Sequence, residues 1–222
     1  MRKFFVLPLA ALLVLVVAAP VAAGPNTSNT SGTGRTVYGD WSDGSTFGYA
    51  YFGQEKGQPG FGELYQESGE WVECSPPEGE VAPAPEKIAP ADTGPGDGYY
   101  GFVGTRTFGY SGDVEITFSR RLETGTVTGH VELWTETVDE CAGTYGDATY
   151  ELADLSISLT GIGDLGSFRG TGSYQVPSEF NGHYSYRGKE RAAEGSILAG
   201  PIDATFNFAY MSELTWTEHV NN

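Results

Sequence analysis

The stretch "GTVTGHVELWTET", residues 125–137, alternates without interruption. In an extended chain Val131 and Leu133 fall on one side with Gly129, and His130, Glu132, Trp134 and Glu136 fall on the other. One apolar side and one polar side mark a strand with a single face against a core. The same period recurs along the chain. Val114, Ile116 and Phe118 share a side, as do Leu155, Ile157 and Leu159, and Phe206, Phe208 and Tyr210 near the end. Glycines and polar turns divide these runs at hairpin spacing. The pattern predicts an all-β fold, a single antiparallel β-barrel or strongly bent β-sandwich of about 8–11 strands. One-sided alternation excludes a doubly wound parallel sheet, whose buried strands are apolar throughout. Helical spacing is confined to 178–180 and 190–195, each no more than one turn. Gly129, Gly170, Gly172 and Gly182 stand inside strand patterns and predict bulges, bends or close approaches, which favour a curved sheet.

The first residues, "MRKFFVLPLAALLVLVVAAPVAAGP", read as a signal peptide over 1–23. Arg2 and Lys3 form the positive start, an apolar run follows, and Val21-Ala22-Ala23 supplies small residues before Gly24. The apolar run is shorter than a spanning helix needs, so no membrane association is expected after cleavage, and the expected location is secreted, extracellular. Removing 1–23 takes away two cations and no acid, so the formal charge goes from −17 to −19. Such a surface repels phosphate backbones and argues against a nucleic-acid partner. Residues 24–35 carry no apolar side chain and read as a flexible leader to a single all-β domain over 36–222. The Pro-, Gly- and acid-rich stretch 75–98 reads as one long loop. Export places Cys74 and Cys141 in an oxidising compartment and predicts one disulfide between them.

Nucleotide loops, a G-x-S-x-G elbow and H-E-x-x-H are all missing, so no cofactor is expected. The three histidines, His130, His183 and His219, lack metal-ligand spacing, and no metal is expected either. The pattern that remains is aromatic residues interleaved with acids. In "FGELYQESGEWVEC" (61–74) Phe61, Glu63, Tyr65 and Glu67 share a side, and Trp71 and Glu73 continue it. Rings stack on sugar faces while carboxylates accept from hydroxyls. This reading makes Glu63, Tyr65, Trp71, Glu73, His130, Glu132 and Trp134 a candidate ligand-binding set, with carbohydrate or another small molecule as partner. It describes a non-catalytic binding or surface-associated domain. Two alternatives use neighbouring residues. A pair among Glu63, Glu73, Glu132 and Glu136 is the acid and nucleophile of a small secreted glycosidase. Phe47, Tyr49 and Tyr51, placed inside a barrel, line an apolar pocket for a carrier or isomerase. The sequence carries no signal for oligomeric state.

Overall fold

The computed structural model describes residues 28–74, 99–176 and 180–221. The proposed signal peptide and the 75–98 loop lie outside them. Among the described residues there are eleven strands and no helix. In chain order they are β1 (Ser28–Ser42), β2 (Thr46–Glu55), β3 (Gly60–Cys74), β4 (Tyr99–Phe118), β5 (Thr124–Asp139) and β6 (Thr144–Tyr145). They continue as β7 (Thr149–Gly161), β8 (Gly166–Val176), β9 (Phe180–Ala199), β10 (Ile202–Thr205) and β11 (Phe208–Asn221). Every pairing is antiparallel. The long strand β9 closes the sheet: it pairs β11 along Asn181–Ala193 and β7 along Ala193–Ala199. The path β1-β2-β3-β4-β5-β7-β9-β11 therefore returns to β1. The expected antiparallel all-β architecture is present, with part of the sheet closed into a ring.

The apolar side of each strand faces inward, as the opening stretch requires. Val131 and Leu133 are buried there with Ile157, Ile197, Phe52, Ile116 and Met211. Burying one side chain of this size contributes about 1.5–3 kcal/mol. The β4–β5 turn closes one end. Its Leu122 is fully buried at a positive φ of 52°, and the Ser119 hydroxyl accepts hydrogen bonds from the Glu123 and Thr124 N–H groups. Cations from the inner side of the sheet hold this turn and the strand before it. Lys189 donates to the Arg120 carbonyl at 2.7 Å, Arg191 to the Arg121 carbonyl at 3.4 Å, and Arg35 to the Ile116 carbonyl of β4 at 2.8 Å.

Below the ring the sheet continues as an arm of four strands, in the order β8-β9-β11-β1. It comprises residues 28–33, 166–176, 181–190 and 212–221. Among the described residues no second layer covers it. On one of its sides, rings lie over glycines of the adjacent strand: Phe168 on Gly188, Tyr186 on Gly170, Tyr184 on Gly172, Tyr174 on Gly182 and Trp216 on Gly32. Each ring thus buries part of its own face where no core exists, a device that strengthens glycine-bearing strands.

At the opposite end the Cys74–Cys141 disulfide is formed, joining β3 to the segment after β5. A loop closed over a sequence separation of 67 gives about 4 kcal/mol in the chain-entropy account. The bridge sits by a satellite cluster on the outer side of the sheet, where Phe102 and Val138 are buried apart from the main core. The Arg106 guanidinium lies 5.2 Å from the Phe102 ring centroid and pairs with Glu67 at 2.8 Å and Glu140 at 2.7 Å.

Four sequence expectations change. Residues 28–35, read as leader, are strand, because β1 pairs β11 from Ser28↔Val220 onward. Residues 190–195, read as a turn of helix, are part of β9, where Ala193 packs in the core and the ladder to β11 takes the backbone. Phe206 does not share a side with Phe208 and Tyr210. The chain breaks between β10 and β11, so Phe206 turns into the core while Phe208 faces out. Finally, Phe47, Tyr49 and Tyr51 lie on the outside, since their neighbours Ala50 and Phe52 take the inward positions.

Candidate functional site

The outward side of β2 through β7 is ordered in rows by the strand register. Tyr49 pairs with Tyr65, Tyr65 with Phe108, Phe108 with Trp134 and Trp134 with Tyr150. Five aromatic residues on five successive strands thus stand directly opposite one another. Their ring centroids follow at 5.8, 5.0, 5.6 and 6.3 Å. The row runs from half-buried Tyr49 to Tyr150, whose residue is 79% exposed, with Trp134 at 39%. Strand alternation alone puts the rings outside, because the intervening residues Leu64, Gly109 and Leu133 face the core.

Polar rows flank the rings. On one side Glu67, Arg106 and Glu136 stand in register. On the other side the order is Tyr51, Glu63, Tyr110, Glu132 and Leu152. Burial, together with a hydrogen bond to Glu67, raises the Tyr65 phenol above its ordinary value and keeps it a neutral donor. The Tyr49 hydroxyl reaches Glu63 at 3.5 Å, and burial raises its titration too.

Beyond Glu132 the surface dips into a shallow groove of about 330 Å3, lined by Tyr110, Ser111, Asp113, His130, Glu132 and Leu152. A β-bulge makes it. The β4–β5 register shifts between Tyr110 and Glu115, and the one extra residue in β4 swings Asp113 towards β5. Gly129 faces this bulge at φ 154°, where a Cβ would come within 2.9 Å of the Asp113 carbonyl oxygen. His130 lies between two carboxylates, its Nδ1 3.4 Å from Asp113 and its Nε2 3.4 Å from Asp154. The His130 N–H bonds Asp113 and, with the imidazole, holds that carboxyl below the usual range. Among the described residues no group of three or more His, Cys, Asp or Glu is arranged to hold a metal ion.

Of the residues singled out from sequence, Glu63, Tyr65, His130, Glu132 and Trp134 come together on this surface. Trp71 and Glu73 do not. They stand further along β3 at the disulfide end, where Trp71 packs at 6.0 Å from Phe102 and is 62% exposed. Six residues of strand, about 20 Å, separate Trp71 from Tyr65. Tyr49, Phe108, Tyr150, Asp113 and Asp154 complete the surface and were not in the set. Alternation in "TRTFGYS" (105–111) marks Phe108 as outward with Arg106 and Tyr110, but only the register shows which ring it meets.

The surface can act in two ways. A line of rings at near-strand spacing offers apolar faces and edges to the C–H side of a sugar chain, while Glu63, Glu132, Tyr110 and His130 offer acceptors and donors to its hydroxyls. Glu63 and Glu132 also stand on either side of Tyr110, two strand spacings or about 10 Å apart along the backbone. We find that no family model, no curated protein and no solved structure matches this chain.

Proposed function

We propose that this protein is exported and binds carbohydrate, without cleaving it, along the outward aromatic row of β2–β7. The observation that carries the reading is the register itself: five rings in direct opposition across five strands, with two carboxylates in the row on each side. Outward aromatics scattered singly are ordinary on any sheet, whereas a contiguous outward line of them, half-buried at Tyr49, Tyr65 and Phe108 and exposed at Trp134 and Tyr150, is unusual and supports an interaction surface. The interior favours an outer site, because Phe52, Ile116, Leu122 and Ile197 fill the space an internal ligand would use. A second opening, of about 550 Å3, lies at the barrel end beside buried Trp41, which donates to Gln66 at 3.1 Å. Export is supported by the signal-like residues 1–23 and by the disulfide. An aqueous rather than a lipid setting is supported by the outer sides of β5 and β7. There Thr124, Thr126 and Thr128 face Thr160, Ser158 and Ser156 around an apolar interior, the reverse of a barrel in lipid.

The test is a melting-point series of the mature chain, residues 24–222, with neutral oligosaccharides of increasing length. A ligand of the folded state stabilises by about 2.7 kcal/mol at a hundred times its dissociation constant. The expected result is a rise in midpoint that grows with oligosaccharide length until the chain spans the row. Absence of any shift across neutral sugar classes overturns the reading. Reducing-end release in the same mixtures would move the assignment to hydrolysis by Glu63 and Glu132. Their wide backbone separation is better suited to holding hydroxyls than to covalent displacement.

A further inference from the structure

We propose that the side of the four-stranded arm that continues the barrel's inner surface is a second site, for polysaccharides carrying carboxylate or sulfate groups. The proposal is independent of the aromatic row, which lies on the outer side of the sheet.

The distribution of cations points to it. The chain has twelve Lys and Arg against 29 acids. Yet Arg35, Lys189 and Arg191 stand on the inner side where the arm leaves the barrel, and Arg120 and Arg121 stand on the turn that Lys189 and Arg191 hold. Next along the arm, Arg169 of β8 pairs directly with Arg187 of β9. Seven of the twelve cations are thus gathered at one end of an acidic molecule. Glu213 answers two of them, Arg35 at 3.6 Å and Lys189 at 3.2 Å. Among the described residues no carboxylate pairs with Arg169, Arg187, Arg120 or Arg121, and all four are exposed. Like charges directly opposite on neighbouring strands are unfavourable, and an oxyanion lying between them removes that cost.

The rest of the same side explains why the ligand is a sugar chain rather than a lone anion. Beyond the arginine pair come Thr171, Ser185, Thr217 and Ser31 in one cross-strand row, with Ser185 and Thr217 hydrogen-bonded at 2.7 Å. Ser173, His183, His219 and Asn29 form the next. This side carries no apolar ring; the rings of the arm all sit on the other side, over the glycines. Four strands give a polar surface about 19 Å across, wide enough for several sugar residues. Guanidinium groups bind planar carboxylate or sulfate oxygens two at a time, and hydroxyl and amide groups match the remaining sugar hydroxyls.

The test titrates the mature chain with polygalacturonate, with a sulfated dextran and with neutral dextran at physiological salt. It then repeats the titrations with R169Q/R187Q and, separately, R120Q/R121Q. At least one anionic polymer should bind, and R169Q/R187Q should weaken it roughly tenfold or more, the scale of losing charge-assisted contacts. Its binding should also depend less steeply on salt. R120Q/R121Q should weaken binding to a smaller degree, and W71A should leave it unchanged, since Trp71 stands on Phe102 at the disulfide end, away from both sites. Preference for the carboxylated or the sulfated polymer identifies the oxyanion. The proposal is overturned if neither anionic polymer binds, if R169Q/R187Q binds like the parent chain, or if duplex DNA binds as tightly as either polysaccharide.

Discussion

The barrel and the arm share β1, β9 and β11, and they are stabilised differently. In the barrel, β9 runs past Ala193, Ile197 and Ala199, which pack into an apolar interior. In the arm the same strand runs past Tyr184, Tyr186 and Gly188, and among the described residues no layer packs on either side. The barrel half gains free energy from area removed from water. The arm half has its ladder hydrogen bonds, side-chain bonds such as Ser185–Thr217 and Tyr174–Glu218, and the rings folded down onto neighbouring glycines. Continuity of backbone pairing therefore does not imply continuity of stability, and the arm is the part expected to open locally.

The largest test of this contrast is Phe52→Ala. Phe52 is fully buried in the barrel, and its loss should cost about 3–5 kcal/mol, roughly 6–20 °C in midpoint for a chain of this size. A shift of only a degree or two in calorimetry would show the interior to be loosely packed.

A smaller effect comes from the disulfide end. Glu140 accepts the Phe102 N–H at 2.9 Å and the Arg106 guanidinium at 2.7 Å, and these contacts hold its carboxyl below the ordinary 4.5. The folded state is thus the weaker proton binder. The contribution is fully present above the ordinary value and is lost as pH falls through the lowered one. Glu140→Gln should cost about 1 kcal/mol at neutral pH and flatten the acid limb of the stability curve. An unchanged limb would assign acid sensitivity to other carboxylates.

Smaller still in global terms is Tyr186→Ala in the arm. It uncovers Gly170 and should change the melting midpoint by less than about 1 kcal/mol equivalent. Amide exchange along 168–174 and 182–188 should nevertheless accelerate while Val131 and Ile157 keep their protection. Equal acceleration in the barrel would mean that the arm and barrel open as one unit.

How much of this was legible in the sequence depended on whether the information was local. Alternation in 125–137 placed Val131 and Leu133 inside and His130, Glu132 and Trp134 outside, and the structure has them so. Two cysteines in a chain read as exported gave the disulfide. Neighbours across strands were not legible. That Tyr65 meets Phe108, or that Asp113 reaches His130, depends on register and on one bulge in β4, which no local pattern encodes. The arm was hidden for another reason. Residues 28–35 lack apolar side chains, and they are strand because β11 pairs with them and because Trp216 lies on Gly32. Strand edges held by a partner rather than by a core leave little trace in hydropathy.

The most direct test of the account is Trp134→Ala, measured for both folding and sugar binding, beside Trp71→Ala. Trp134 contacts Phe108 and Tyr150 within the row, whereas Trp71 stands at the disulfide end on Phe102. The account predicts that W134A melts within about 1 kcal/mol equivalent of the parent and loses affinity for neutral oligosaccharide roughly tenfold or more, with W71A binding normally. Undiminished binding by W134A, or a collapse of its stability, would show the aromatic row to be packing on the outside of a barrel and not a binding surface.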